Sequence, residues 1–509
     1  MKDFSDLFAE EYSNQRDQWE KSLKAELKLE DISGKTTKRH LDLGTWPTLS
    51  QSAPTISQLK STQAWKKAAQ TYHRVNGATI AQTLLEDLEG GVRAFYFSAD
   101  LLQESDWKKI EETLNNFTKK EELEVYLLGS KTLKSSAAFK LVQSTSIIDG
   151  RKVHEEGGHN VQELAQVTLN LIENLDKNPT HVAVFMDSHF FKNIAKLRAL
   201  KLLTQKVLKE SKSNLKLSYL ALNSYREWTL FERYSNMLRN NVQVASGYIG
   251  GADAVQSSGY QMIFELETEK VDQEHHERSL RMSRNTSHIL SLESMLGIVE
   301  DAAFGSYHLE NLSNKYAEEA WKLMQLLIVK SAEERKTYLD GEVKKIREQR
   351  LERVKTRKDV LTGMNDFPDG KEHLGIKLLD SKVFRVSRVF EEARLKVETL
   401  KHKPEVEIIL QGDYGALNNR VNFVKNYFEL MGLTVHDPLV KHETPRERVI
   451  VLCAKDEDYP ELANKVGAEK ALAKFVAGKV EVPGFEAIHA GQNIFEVLSN
   501  LVQKMEAAK

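Results

Sequence analysis

A single cysteine, Cys453, in 509 residues leaves no possibility of a disulfide within the chain, so a disulfide framework is excluded and a reducing compartment, the cytoplasm, is expected. Net charge is also lacking: 72 Lys and Arg stand against 74 Asp and Glu, which gives no reason to expect nucleic acid or an anionic membrane as a partner. No apolar run approaches the roughly 18 residues of a membrane span. The opening "MKDFSDLFAEEY" has no continuous apolar stretch and does not read as a signal peptide. Low-complexity tracts and internal repeats are missing, as are a P-loop and a Ser–His–Asp order of triad residues.

Histidine pairs are present, but not at metal-binding spacing. "HEEGGHN" holds His154 and His159, and "EHHER" holds His275 and His276. Two zinc-binding histidines share one helical face with a glutamate between them. Adjacent helical histidines point about 100° apart, so a structural or surface role is expected for both pairs. "YIGGADA" (248–254) places a glycine pair after an apolar run that reads as a strand, and "AAFGSYHLE" offers Gly305 and Ser306. Either could approach a ligand, but Gly-Gly also marks a tight turn.

What is abundant is β–α alternation. "GVRAFYFS", "EVYLLG", "HVAVFMDS", "LKLSYLAL", "NVQVASGYIG" and "YQMIF" read as strands; "NVQELAQVTLNLIENL" and "NIAKLRALKLLTQKVLKES" read as helices. Such alternation from about Leu41 to Pro368 predicts a parallel β/α architecture of barrel length. A stretch of long helices, 314–359, ends in interleaved Lys, Arg and Glu, a solvated ion-paired face. "MNDFPDG" breaks it. Beyond Pro404, "EVEIILQ", an amphipathic helix and "VIVLCA" form one turn of a doubly wound α/β domain, and "GQNIFEVLSNLVQKM" reads as a terminal helix. Ligands sit in the loops at the carboxyl ends of such strands. The loop "GDYGALNNR" (412–420) holds no His, no phosphate cradle and no Ser nucleophile. At the other end, Phe4, Leu7, Phe8, Tyr12, Trp19, Leu23 and Leu27 recur at helical spacing over residues 1–30. They read as a helix packed on its own domain or as an arm that docks on another subunit.

One stretch carries a family resemblance. "SRNTSHILSLESMLGIVEDAAFGSYHLENLSNKYAEEAWKLM" (283–324) resembles a signature of methylmalonyl-CoA mutases, R-N-T-Q-x-x-L-x-x-E-S, then D-P-x-G-G-S-Y-x-x-E-x-L-T, then a helix with A-W. Arg284, Asn285, Thr286, Leu290, Glu293, Ser294, Asp301, Gly305, Ser306, Tyr307, Glu310 and Trp321 match it. "LLEDLEGGVRAFYF", "HEEGGHNVQELAQVT", "ERYSNMLRNNVQVASGYIGGADAV" and "VLTGMNDFP" resemble further family segments in the same order. The resemblance implies an α/β chain made of a TIM (β/α)8 barrel that holds acyl-CoA and a C-terminal flavodoxin-like domain that holds adenosylcobalamin. The division it implies here is an N-terminal helical arm (1–35), the barrel (36–370), a mixed strand and helix linker (371–403) and the flavodoxin-like domain (404–509). The cofactor supplies radical chemistry that interconverts methylmalonyl-CoA and succinyl-CoA; protein supplies binding and shielding.

Departures from the family pattern set the expectations for this chain. Catalytic members carry D-x-H-x-x-G in the loop after the first strand of the cobalamin domain. The His ligates cobalt and the Asp orients it. Alignment on the following helix and Gly432 puts Gly415 at the Asp, Leu417 at the His and Arg420 at the small Gly. The later S-x-L meets Cys453, Ala454 and Lys455, and a Gly-Gly meets Ala477 and Gly478. In the barrel, the family's Q-G-H, placed after a middle strand, is matched by Ile249, Gly250 and Gly251. An Arg before the D-P turn is matched by Ile298, with Ala302 for the Pro. "LDLGTWPTLSQSAPT" replaces the Tyr- and Arg-containing segment near the N-terminus. The resemblance therefore implies the small, or beta, subunit that pairs as a heterodimer with a catalytic large, or alpha, subunit. No catalytic, cofactor-binding or metal-ligating residue is assigned to this chain, and adenosylcobalamin is carried by the partner. A regulatory or chaperone-like partner of an acyl-CoA mutase, and a divergent mutase acting on another acyl-CoA, are the alternatives.

Overall fold

In the computed structural model, residues 17–509 are described except for 33–35, 48–58, 60–66, 73–76, 101, 130, 269–271, 381–382, 402, 441–447, 467–468 and 508–509. The chain forms two compact units. The first draws on residues up to 224, on 241–258 and on 281–346; the second on 225–240, 259–280 and 347–509.

The first unit begins with a helical segment, residues 17–27, and a hairpin of β1 (Thr37–His40) and β2 (Gly44–Pro47). Eight strands follow: β3 (Lys67–Tyr72), β4 (Ala94–Ser98), β5 (Glu124–Leu128), β6 (Lys140–Gln143), β7 (Ile147–Asp149), β8 (His181–Met186), β9 (Ser218–Asn223) and β10 (Ala254–Ser257). They make one sheet in the order β6-β5-β4-β3-β10-β9-β8-β7, and every pairing is parallel. The first and last of these strands are neighbours, and the two at the ends of the order are joined by Ser144–Ser146 alone.

The helices of this unit are α1 (Gly77–Glu89), α2 (Glu104–Asn115), α3 (Arg151–Glu155), α4 (Asn160–Glu173), α5 (Phe190–Glu210) and α9 (Tyr307–Ile328), and α6 (Ser235–Ile249), α8 (Gln273–His288) and α10 (Ala332–Lys355) contribute residues 241–249, 281–288 and 332–346 to it. Strands buried on both faces read as continuous apolar runs, and two clusters explain why. Tyr96, Tyr126, Val142, Ile147, Phe185 and Leu222 pack together on one face. Val182, Val184, Tyr219 and Val255 face the other way, onto Leu164, Leu197 and Tyr316 of α4, α5 and α9.

The second unit holds β11 (Glu405–Leu410), β12 (Val435–His436), β13 (Arg448–Cys453), β14 (Ala473–Ala477) and β15 (Glu486–Ile488), all parallel, in the order β12-β11-β13-β14-β15. That is the two-one-three-four-five order of a doubly wound sheet. α11 (Arg388–Glu398), α12 (Tyr414–Glu429) and α14 (Ile494–Ala507) pack on one face through Phe390, Val424, Phe428 and Leu498. α13 (Tyr459–Val466) packs on the other against Ile450, Leu452 and Val476. A third cluster gathers Trp228, Leu230, Phe231, Met262, Ile263 and Phe264, the last three from α7 (Met262–Glu267).

Two readings of the sequence differ from the structure. "NVQVASGYIG" lies almost wholly in helix α6, and "YQMIF" leads into α7; the strand of this region is Ala254–Ser257 between them. Val244 and Tyr248, one helical turn apart, both enter the core. Gly247 lets the helix approach the sheet, since a Cβ there would stand 2.9 Å from Val255 Cγ1 and 3.2 Å from Ala221 Cβ. The long helices expected over 314–359 are present, the first ending at Ile328 and the second beginning at Ala332. Residues 371–403 contain helix α11 and, among the described residues, no strand.

Candidate functional site

At the carboxyl ends of β11, β13 and β14 the loop "GDYGALNNR" becomes the start of α12. Asp413 caps the helix, its carboxylate accepting the Ala416 N–H at 2.8 Å, the standard way to satisfy a free first-turn donor. Gly415 lies in this exposed first turn. Leu417 follows, 5 % exposed, and a Cβ on Gly412 would meet its Cδ1 at 3.3 Å. One turn on, Arg420 reaches across the strand ends. Its Nη1 donates to the Ala454 carbonyl (2.5 Å), to the Tyr459 hydroxyl oxygen (3.0 Å) and to the Ala477 carbonyl (3.4 Å), while Nη2 pairs with Asp456 (2.6 Å). Gly478 borders this cluster at φ +148, a backbone conformation that favours glycine. Cys453 is enclosed beneath, and burial pushes its thiol up to about 12, so it is no thiolate nucleophile at neutral pH.

Gly250 and Gly251 are placed differently from the expectation. They follow helix α6 and precede β10, so they lie at the amino end of a strand, whereas β/α sites form at carboxyl ends. A Cβ on Gly251 would stand 2.6 Å from Lys201 Nζ. The matched signature residues make a corner: Arg198 of α5, 1 % exposed, pairs with Asp301 and, at 2.6 Å, with Glu310. Glu310 also accepts the Gly305 N–H at 3.1 Å, and Gly305 takes φ +77. Arg284 pairs with Asp87, and Lys206 stands 4.4 Å above the Trp321 ring. Ile298 and Ala302 are exposed.

The histidines are absorbed separately. His159 caps α4 in a capping box with Gln162. His275 Nδ1 meets the Tyr260 hydroxyl at 3.2 Å, and His276 Nδ1 meets Glu265 at 2.8 Å. His154 does something the sequence did not reveal. Its Nε2 stands 2.7 Å from Ser224 Oγ and its Nδ1 3.3 Å from Glu163 Oε2. Ser224 sits just past the carboxyl end of β9, His154 is on α3 just past β7, and Glu163 is on α4. All three are buried. Burial raises the Glu163 carboxyl, but the Lys196 ammonium at 3.0 Å, His154 and the Phe185 N–H more than offset this and hold it at about 2. An ionised carboxylate can only accept, so Nδ1 donates to Glu163, while Nε2 and the Ser224 hydroxyl share a second hydrogen bond. Seventy residues separate His154 from Ser224, and no local pattern could pair them.

A family model described as methylmalonyl-CoA mutase matches residues 138–412, more than half of the chain. The chain is 25 % identical over 362 residues to the methylmalonyl-CoA mutase small subunit of Porphyromonas gingivalis, covering 63 % of this chain and 56 % of that one. It is 25 % identical over 329 residues to the small subunit of Propionibacterium freudenreichii subsp. shermanii, covering 57 % and 49 %. Against the small subunit of Streptomyces virginiae it is 29 % identical over 413 residues, covering 71 % and 64 %. The matches thus span about half to two thirds of these relatives' own length. With its parallel sheets and the Asp301–Gly305–Glu310 corner inside the matched region, this chain belongs to the methylmalonyl-CoA mutase family.

Proposed function

We propose that this chain is the non-catalytic small subunit of a heterodimeric, adenosylcobalamin-dependent methylmalonyl-CoA mutase in the cytoplasm, and that the large subunit binds the cofactor and interconverts methylmalonyl-CoA and succinyl-CoA. In this reading the eight-stranded sheet is a TIM barrel within residues 36–370. Residues 404–509 are a flavodoxin-like domain that has lost its ligand, 371–403 a linker and 1–35 an arm. The observation that carries it is the occupation of the strand-end crevice by the chain itself. A cobalamin held in the family's manner needs an imidazole in the first turn of α12 and an open path for its tail. Leu417 has no lone pair and is buried. Arg420 fills the ends of β13 and β14 with four polar contacts. The residues present do not fit the group, and no step of the isomerisation runs through this chain. The three relatives' names, each a small subunit, support the choice of partner.

The test is co-expression with a large subunit, followed by gel filtration and mass measurement of the species formed. A 1:1 complex that carries corrin and turns over, beside an isolated chain that does neither, is the expected result. Corrin absorbance that travels with the isolated chain overturns the reading.

A further inference from the structure

We propose that Ser224 is a nucleophile activated by His154 and oriented through Glu163, and that this chain hydrolyses acyl thioesters or activated esters at the carboxyl end of β9. The inference does not rest on the proposed small-subunit role, which leaves this chain out of the isomerisation only, because it concerns hydrolysis by this chain alone.

The diagnostic arrangement for an activated hydroxyl is a base within hydrogen-bond reach of it, the base itself oriented by a third group. Here the base is 2.7 Å from Ser224 Oγ, and the carboxylate that orients it is 3.3 Å away on the far ring nitrogen. The three residues come from three different elements of a parallel β/α sheet. The nucleophile and base lie just past strand ends, where β/α enzymes assemble their catalytic groups. Ser224 is also fixed in place: its N–H donates to the Met186 carbonyl at 2.9 Å, and its own carbonyl accepts from Gln243 Nε2 at 2.9 Å. Lys196 balances the Glu163 charge at 3.0 Å. The carboxylate therefore stays ionised beside the ring and stabilises the imidazolium when it forms. Both groups are enclosed, Ser224 3 % and His154 2 % exposed.

The chemistry balances with water as the only co-reactant. Ser224 Oγ bonds to the acyl carbonyl carbon, the hydroxyl proton moves to His154 Nε2, and the C–S or C–O bond breaks. The proton then passes to the leaving thiolate or alkoxide. Water attacks the acyl-serine with His154 again taking the proton. This releases a carboxylic acid and restores the hydroxyl. No oxidant or metal is consumed.

The experiment uses the full chain and a fluorophosphonate, with the adduct located by peptide mass mapping, alongside p-nitrophenyl acetate hydrolysis and an acetyl-CoA arm read by released thiol. The expected result is one adduct, on Ser224, with p-nitrophenyl acetate turnover that disappears in Ser224→Ala and falls by about 100-fold in His154→Gln. Thiol release assigns the thioester class, and its absence beside p-nitrophenyl acetate turnover assigns oxygen esters. Thermal unfolding of both variants establishes that they fold. Should His154→Gln fail to fold, the same labelling of the wild-type chain in urea replaces it, and the Ser224 adduct is expected to vanish with the fold. An unmodified Ser224 in the native chain overturns the proposal, as does labelling at an equal rate in folded His154→Gln or in urea. The line Ser224–His154–Glu163 is then a hydrogen-bonded support only.

Discussion

Arg420, one turn into the helix after β11, donates to the main-chain carbonyl of Ala454, just past the end of β13, at 2.5 Å. A second contact from the same nitrogen reaches Ala477 past β14 at 3.4 Å, so one side chain ties together adjacent strand ends. Replacing it by Met strips the guanidinium from two main-chain carbonyls and from Tyr459. Loss of hydrogen bonds of this kind costs about 1–3 kcal/mol, which urea unfolding should report. Asp456→Asn should cost less than about 1 kcal/mol, since that ion pair is solvent-screened. Leu417→His together with Arg420→Met should still give no corrin absorbance in the isolated chain, because Gly415 offers no carboxylate to orient the new imidazole.

Much of this was legible in the sequence, and the failures have physical causes. Strands such as His181–Met186 and Arg448–Cys453 announced themselves because both of their faces are buried and β-branched residues crowd them. Val242 and Val244 also alternate, but in α6 it is Val244 and Tyr248 that share a face, and a close approach at Gly247 outweighs the β preference of valine. That mistake carried over to Gly251, whose backbone lies before a strand instead of after one. The cluster of Ser224, His154 and Glu163 was invisible because residues 70 positions apart meet only through the sheet order.

The buried Glu163–Lys196 pair predicts acid sensitivity. Glu163 is held at about 2 when folded, below the ordinary carboxylate value of roughly 4.3. Its contribution is therefore present above about pH 4.5 and is lost as the pH falls toward 2. At neutral pH, Glu163→Gln leaves the Lys196 ammonium, fully buried, without its counter-charge and should cost about 3 kcal/mol or more. Chemical denaturation at pH 7 and pH 3 checks both: the variant should lose most at pH 7, and the gap should narrow at pH 3.

Arg385 should prove equally sensitive. It is completely buried between Glu267 at 3.1 Å and Glu391 at 2.6 Å, and it also donates to the Trp228 carbonyl at 3.2 Å. Lysine has the charge but not the planar fork. Arg385→Lys is expected to destabilise by about 2 kcal/mol and Arg385→Ala by about 3–5 kcal/mol, as for a buried pair broken on one side. Equal stability of Arg385→Lys and the wild type, measured by urea midpoint, would count against this account.

The N-terminal segment gives the last prediction. Residues 17–27 are helical, yet Trp19 and Leu27 are each 40 % exposed; Phe4, Leu7, Phe8 and Tyr12 lie outside the described residues. A helix this short is marginal in water unless its apolar side is covered, and aromatic side chains are the usual anchors of interfaces. We infer that the large subunit covers it. Deleting residues 1–30 should leave the unfolding transition of the remaining chain nearly unchanged, because Trp19 and Leu27 contribute little core. Association with the large subunit should weaken mainly through a faster off-rate. Trp19→Ala combined with Phe8→Ala should account for about 2 kcal/mol of that loss if both are anchors. Surface-plasmon measurement of the truncated and full chains on an immobilised large subunit decides it: equal dissociation rates would show that the segment is no part of the interface.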